Sequence, residues 1–127
     1  MSHRSAKILV IEDDAAMRSL ICEFLELQGH DVLGFDLATR ALKEIKSWIE
    51  HDLVISDLNM PEMTGIELIQ RVQDLAPHIP VILISAFGTQ QAEVQALKNG
   101  AVGFLNKPFK LSDLLERVAR ALGSVRR

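Results

Sequence analysis

The chain has 127 residues, the length of one compact domain with little left over for a second. Hydrophobic residues make up 48% of the sequence and charged residues 24%, which excludes a disordered tail and a fibre. The net charge of −3 argues against a module that holds nucleic acid through bulk electrostatics, so we expect no direct nucleic-acid partner.

The first half of the chain alternates short apolar runs with segments of helical period. Three strands are predicted there, at Lys7–Ile11, Asp31–Phe35 and 53–56. Two helices are predicted between them, at 15–28 and 37–49. Gly29 lies where a glycine commonly ends a helix, and Trp48 lies on the apolar stripe of the second helix.

The second half continues this alternation after a loop. Pro61 keeps the residue before it out of a helix, so 57–61 is predicted to be a loop. The unbroken apolar run Val81–Ser85 is typical of a central strand that is buried on both faces. The remaining elements are helices at Gly65–Leu75, 90–99 and 111–122 and a short strand at 102–106.

Five strand–helix pairs in strict alternation predict one α/β domain. Such a domain has a parallel sheet with helices on both faces. Right-handed crossovers are close to obligatory, which leaves few topologies. In such sheets the ligand site lies beyond the carboxyl ends of the strands, so the residues that follow the strands carry the functional information.

The sequence contains few signals for membrane insertion, secretion, disulfide bonds or metal sites made of histidine and cysteine. No apolar run approaches the roughly 18 residues that cross a bilayer. The first six residues lack the apolar region of a signal peptide, so we expect a cytoplasmic protein with no membrane partner. The single cysteine, Cys22, excludes an internal disulfide framework. His30, His51 and His78 share no metal-ligand spacing and are predicted to be solvated loop residues.

Complementary side chains follow four of the five predicted strands. The run Glu12–Asp14 follows the first strand, Asp57 follows the third, Ser85 ends the fourth, and Lys107 follows the fifth. Carboxylates held close together repel one another, so they need a cation to stay ionised. Oxygen ligands without histidine or cysteine suit Mg²⁺. Asp57 is then the natural nucleophile, a carboxylate that can form an acyl phosphate, as in phosphoryl transfer.

Each of these residues also has a simpler interpretation. An acidic residue before a helix is often its N-cap, and Asp14 suits that position. A single lysine is usually a solvated surface charge, and Ser85 could close a turn. Convergence of four strand ends on one edge of the sheet favours the functional interpretation.

At these residues the chain resembles a response regulator receiver domain, the phosphorylated part of two-component signalling. The resemblance covers about residues 6–122, and we expect 1–127 to be one such domain. It implies a flavodoxin-like, doubly wound fold of five parallel strands in the order 2-1-3-4-5 with five helices. The matching motifs are 8–14, 54–61 with Gly65, 81–86 and 107–109.

The resemblance implies a role for each residue of the acidic site. Asp57 matches the aspartate that accepts the phosphoryl group. Asp13 matches a direct Mg²⁺ ligand, Glu12 an acidic neighbour that acts through water, and the backbone carbonyl of Asn59 a third protein ligand. Lys107 matches the lysine of the family, and the bond that joins it to the following proline is expected to be cis.

The resemblance also implies a switch and a lifetime control. Ser85 matches the switch hydroxyl, which is expected to bind the phosphoryl group and free space for Phe104 at the switch aromatic position. Asn59 and Phe87 match the positions that tune attack by water. Asn59 can orient a water molecule, whereas Phe87 can only shield the site, so an intermediate phosphoryl lifetime is expected.

The implied protein is a signalling switch that assists its own phosphorylation and dephosphorylation, and not an enzyme in the usual sense. The expected phosphodonor is a sensor histidine kinase, a histidine phosphotransfer protein or a small molecule such as acetyl phosphate. The expected output surface is formed by the fourth helix, the fifth strand and the fifth helix. That surface would contact an output domain or a second copy of the chain.

Two other interpretations remain open at this point. A hydrolase of the haloacid dehalogenase type also uses an aspartate, Mg²⁺, a hydroxyl and a lysine. However, it places a second aspartate two residues after the nucleophile, where this chain has Asn59. A receiver that has lost phosphorylation and only binds a partner is the other alternative.

Overall fold

The computed structural model describes residues 5–44 and 50–125, and ten elements alternate along them. The strands are β1 (Lys7–Ile11), β2 (Asp31–Phe35), β3 (Leu53–Asp57), β4 (Val81–Ser85) and β5 (Gly103–Asn106). The helices are α1 (Ala15–Leu27), α2 (Ala38–Glu44), α3 (Gly65–Leu75), α4 (Gln90–Lys98) and α5 (Leu111–Val125).

All strand pairs are parallel, and the strand order is β2-β1-β3-β4-β5. This order confirms the predicted flavodoxin-like topology. The register pairs Ile11 with Ser56 and Ser85 with Asn106. The carboxyl ends of these strands, and the residues that follow them, therefore meet at one edge of the sheet.

Side chains alternate between two apolar layers because successive residues of a strand point to opposite faces. In β3, Val54 packs in the layer beneath α2, α3 and α4, whereas Ile55 packs in the layer beneath α1 and α5. All five residues of β3 and of β4 are buried, so both strands are covered on both faces, which confirms the prediction made for β4.

The predicted boundaries hold to within one residue wherever both ends are described, except that α5 continues to Val125, three residues beyond its predicted end. Helix α1 ends at Leu27, one residue earlier than predicted, and β5 begins at Gly103 because Val102 precedes the ladder. Gly29 has a φ of 96° and Gly100 a φ of 111°, in the left-handed region where glycine ends a helix without strain. For the helix predicted over 37–49, the structure describes Ala38–Glu44; Trp48 lies outside the described residues.

Two of the three histidines that were predicted to be solvated loop residues depart from that prediction. His51 is 9% exposed, and the Nδ1 atom of His30 accepts a hydrogen bond from the N–H of Ala6 at 3.1 Å. His78 is exposed, as predicted. None of the helices in residues 5–44 and 50–125 combines the length and the apolar character that a membrane span requires.

Gly65 allows α3 to start directly against the end of β3. A Cβ atom at this position would lie 2.7 Å from Leu83 Cδ2, 3.0 Å from the Cα of Leu58 and 3.1 Å from the backbone oxygen of Asp57. Two of these neighbours are backbone atoms beside the acidic edge of the sheet. The space beside the Asp57 loop is therefore closed to any larger side chain.

We expect Gly65→Ala to lower the free energy of unfolding by about 1–3 kcal/mol, the usual cost of overpacking. Urea denaturation measures this change. Gly123→Ala in α5 is the matched control, because no atom lies within 4 Å of its Cβ position and alanine favours a helix by about 1 kcal/mol over glycine. A loss of stability in the control and none in Gly65→Ala would contradict this account.

Candidate functional site

Three carboxylates meet at the carboxyl edge of the sheet. Glu12, Asp13 and Asp57 each offer an oxygen atom, and these atoms all lie within 4.8 Å of one another. Glu12 and Asp57 are buried, with exposed fractions of 1% and 7%, whereas Asp13 is exposed. The next acidic residue, Asp14, does not join this group: its side chain accepts a hydrogen bond from the N–H of Met17 and caps α1.

Lys107 lies against this acidic group. Its Nζ atom is 2.8 Å from Glu12 Oε1 and 3.4 Å from Asp57 Oδ2. The bond between Lys107 and Pro108 is cis, as predicted. One ammonium thus faces three carboxylates, so the group retains excess negative charge, which favours binding of a further cation.

Burial and mutual proximity shift the pKa values at this site. Burial raises the pKa of the Glu12 carboxyl above its ordinary value, and the charge of Asp57 adds to the rise, against opposition from Lys107 and the N–H of Asp14. For Lys107, burial acts to lower the pKa, but the ion pair with Glu12 and the charge of Asp57 outweigh it and raise the pKa.

The raised pKa of Glu12 predicts how stability depends on pH without Mg²⁺. The folded chain binds a proton at Glu12 more readily than the unfolded chain does. Ionised Glu12 therefore lowers the free energy of unfolding at pH values above its pKa in the folded chain. At pH values below its pKa in the unfolded chain, the carboxyl is protonated in both states and has no such effect. We therefore expect the free energy of unfolding of Glu12→Gln, minus that of the wild type, to grow as the pH rises from below the ordinary pKa of a glutamate to above the raised pKa of Glu12. Urea denaturation in EDTA at several pH values measures this difference, and a constant or shrinking difference would contradict the prediction.

Ser85 lies at the same edge, beside the acidic group. It is fully buried, and its Oγ atom accepts hydrogen bonds from the N–H of Phe87 at 3.1 Å and from Asn59 Nδ2 at 3.4 Å. The backbone N–H of Asn59 donates to Asp57 Oδ1 at 3.3 Å. Asn59 therefore links the carboxylate of Asp57 to the hydroxyl of Ser85, a contact that the sequence did not indicate.

Phe104 of the predicted switch and Phe87 of the predicted lifetime control have opposite environments. Phe104 is 5% exposed and belongs to the apolar layer beneath α4, so its ring already has an inward position. Phe87 is 78% exposed, so its ring has little contact with the site. The roles of Phe87 as a shield and of Asn59 as a Mg²⁺ ligand through its carbonyl stay predictions.

Arg18 also reaches this edge, from α1, although no motif in the sequence pointed to it. Its Nη1 atom donates a hydrogen bond to the backbone oxygen of Glu12 at 2.8 Å. Its stem lies beside Gly34 in β2, where a Cβ atom would approach Arg18 Cγ to 3.3 Å. An isolated glycine within a strand often marks such a close approach, and that was the one available signal.

A family model for response regulator receiver domains matches residues 8–119. The chain belongs to this family. Over 119 residues, the receiver domain is 34% identical to the chemotaxis protein CheY of Thermotoga maritima. The aligned residues cover 94% of this chain and 96% of CheY. This membership argues against the haloacid dehalogenase alternative.

Larger proteins and a solved structure are similar to the same receiver domain. The response regulator protein FleR of Pseudomonas aeruginosa is 41% identical over 122 residues, which cover 95% of this chain and 26% of FleR. The chain thus spans about a quarter of the length of that relative. The solution structure of the beryllofluoride-activated NtrC4 receiver domain dimer superimposes with a TM-score of 0.87 at 28% identity. The superposition covers 94% of this chain and 98% of the NtrC4 receiver domain chain.

Proposed function

We propose that this receiver domain, residues 1–127 with a core of about 6–122, accepts a phosphoryl group on Asp57 and thereby switches a partner or an output domain. One observation carries the proposal: a carboxylate oxygen of Asp57 lies within 4.8 Å of carboxylate oxygens of Glu12 and Asp13, and Asp57 Oδ2 lies 3.4 Å from the ammonium of Lys107. A carboxylate in this setting has one cation beside it and ligands for a second cation close by. Both are needed where negative charge builds up in phosphoryl transfer.

The donor set fits Mg²⁺. Three carboxylates with ligand atoms within 4.8 Å of one another, and no histidine or cysteine among them, form a hard, oxygen-only site. Asp13 and Asp57 would hold the ion directly, with the backbone carbonyl of Asn59, and Glu12 would act through water. When bound, the ion would neutralise the oxygens of the phosphodonor.

The residues around Asp57 supply the remaining chemistry. A carboxylate oxygen of Asp57 attacks the phosphorus atom, and the leaving group departs on the opposite side with the electron pair of the broken bond. Lys107 has three N–H donors and contacts Glu12 and Asp57, so it can also reach a phosphoryl oxygen. The Ser85 hydroxyl accepts two hydrogen bonds, which leaves its proton to donate to the phosphoryl group.

The output surface would be α4-β5-α5. On α4 and the segments that flank it, several large apolar side chains are about half exposed or more: Phe87, Val94, Leu97 and Val102. Such a patch suits contact with an output domain or a second copy of the chain. The dimer of the activated NtrC4 receiver domain supports the second arrangement by analogy.

The partner that supplies the phosphoryl group would be a cytoplasmic sensor histidine kinase domain or a histidine phosphotransfer protein. The receiver domain would then act in the cytoplasm as a signalling switch, assisting its own phosphorylation and dephosphorylation. A shift between two existing conformations would link Asp57 to the output surface.

Intact-protein mass spectrometry after incubation with acetyl phosphate or phosphoramidate and Mg²⁺ tests this function. We expect one phosphoryl adduct, which is lost in Asp57→Asn and in EDTA. Its decay gives the lifetime that Asn59 and Phe87 are predicted to tune. If no adduct forms with either donor and no beryllofluoride complex forms, the receiver is a binding module that works without phosphorylation.

A further inference from the structure

Arg18 holds one particular peptide group in place. Its Nη1 atom donates to the backbone oxygen of Glu12 at 2.8 Å, across α1 and the end of β1. That oxygen belongs to the peptide that joins Glu12 to Asp13. The orientation of this peptide plane determines the direction in which the Asp13 side chain leaves the backbone.

The other polar groups of Glu12 are already held. Its backbone N–H donates to the oxygen of Phe35 at 2.9 Å, its Oε2 atom accepts from the N–H of Asp14 at 3.0 Å, and its Oε1 atom contacts Lys107. The backbone oxygen is the remaining polar group, and the guanidinium of Arg18 holds it. The whole residue that precedes Asp13 is therefore fixed.

Gly34 provides the space that Arg18 needs. A Cβ atom there would lie 2.9 Å from Cys22 Sγ and 3.3 Å from Arg18 Cγ. Because Gly34 has no side chain, α1 packs close to β2 and the stem of Arg18 passes over the strand to the site. Glycine, arginine and the peptide form one connected support.

We propose that Arg18 is a positioning residue: it orients the Glu12–Asp13 peptide so that the Asp13 carboxylate faces Asp57, and so raises the affinity of the site for Mg²⁺. This inference rests on the proposed function, because it assigns Arg18 a part in building the metal site. Arg18 acts through the peptide and does not itself touch the ion. Residues that orient metal ligands in this way typically change metal affinity 10-fold to 100-fold when they are replaced.

The direction in which Mg²⁺ affinity changes when Arg18 is replaced distinguishes a positioning role from a purely electrostatic one. Arg18 is a cation close to an acidic site, so its charge alone would repel Mg²⁺, and removing it would strengthen binding. If Arg18 orients Asp13, removing it weakens binding. Arg18→Met keeps an apolar stem and removes the charge and the donors. Arg18→Lys keeps the charge but replaces the planar guanidinium by a point charge at the end of a shorter side chain.

Titration of the full chain with MgCl₂, followed by NMR shifts of backbone amides, measures the dissociation constant. We expect about a 10-fold increase for both Arg18→Met and Arg18→Lys. Arg71→Met, an exposed arginine on α3, is the control with the same change of net charge and should leave the constant unchanged. Unchanged or tighter binding by Arg18→Met would overturn the proposal.

Two further arms keep the test interpretable. Gly34→Ala should weaken Mg²⁺ binding in the wild type but add little in the Arg18→Met background, because both changes break the same support. Additive losses would mean that Gly34 acts separately from Arg18 and would contradict the shared support. If the wild type neither binds Mg²⁺ nor forms the phosphoryl adduct, the proposed function itself is wrong. If the wild type does both and Arg18→Met leaves the Mg²⁺ dissociation constant unchanged, only this inference is wrong.

Discussion

Replacing Lys107 with methionine is expected to slow phosphorylation of Asp57 by acetyl phosphate about 100-fold to 1000-fold at saturating Mg²⁺. The Nζ atom of Lys107 lies 3.4 Å from Asp57 Oδ2, so it is placed beside the oxygens on which charge develops. In enzymes that stabilise developing charge, loss of one such positioned donor costs a factor of this size. Methionine keeps an unbranched apolar stem, with sulfur in place of one methylene, and removes the ammonium. The rate of adduct formation in intact-protein mass spectra measures the effect.

The same substitution should also destabilise the chain, and this second effect must be separated from the first. Glu12 has a side chain that is 2% exposed, and without Lys107 its charge would be buried unpaired. Breaking such a pair costs roughly 3 kcal/mol of stability. The double variant Glu12→Gln/Lys107→Met removes the unpaired charge, so it should recover most of the stability while phosphorylation stays slow.

Lys110→Met is the matched control, since this exposed lysine lies three residues from Lys107 at the start of α5. It should be phosphorylated at the wild-type rate. Fast phosphorylation of the double variant would show that Lys107 only supports the fold, and the catalytic role would have to be withdrawn.

Most of the fold could be predicted because few alternatives satisfy the pattern. The run 81–84 is apolar without a break, and only a strand covered on both faces buries these four residues together with Ser85. Alternation of strands with helices then requires a parallel sheet, which brings the strand ends to one edge. The meeting of Glu12, Asp57 and Lys107 follows from this topology, so their convergence could be foreseen before any distance was known.

The details that were not predicted depend on side-chain directions and close packing. The sequence does not show that the Arg18 side chain packs against Gly34, because this contact joins α1 to a strand that comes later in the chain. The environment of His51 was also missed, since its neighbours in sequence are polar and its burial arises from tertiary packing. The inward position of Phe104 likewise depends on how closely α4 packs on β5.

The adjacent pair Asp13 and Asp14 shows where sequence reasoning had to leave alternatives open. Both residues follow β1, and both are acidic. The structure separates them: Asp14 has the extended backbone of an N-cap and binds the N–H of Met17, while the Asp13 carboxylate joins the acidic group. Their different roles follow from the direction in which each side chain leaves the backbone.

Asp13→Asn is expected to change two measured quantities in opposite directions. It removes one of three carboxylates that lie within 4.8 Å of one another, so Mg²⁺ should bind roughly 10-fold to 100-fold more weakly. Without Mg²⁺ the same change removes repulsion from the neighbouring carboxylates of Glu12 and Asp57, so the free energy of unfolding should rise. Titration with MgCl₂ and urea denaturation in EDTA measure the two effects on the same sample.

Asp14→Asn is the control for this prediction, because it removes the same charge one residue later. Asparagine caps a helix as well as aspartate does, so the start of α1 should be preserved. Neither the Mg²⁺ dissociation constant nor the stability in EDTA should change by more than a small amount. Equal effects of the two substitutions would mean that the site responds to net charge alone. A large effect confined to Asp13→Asn would mean that the geometry of the acidic group, set by the end of β1, determines both the cost of keeping the site ionised and its affinity for the cation.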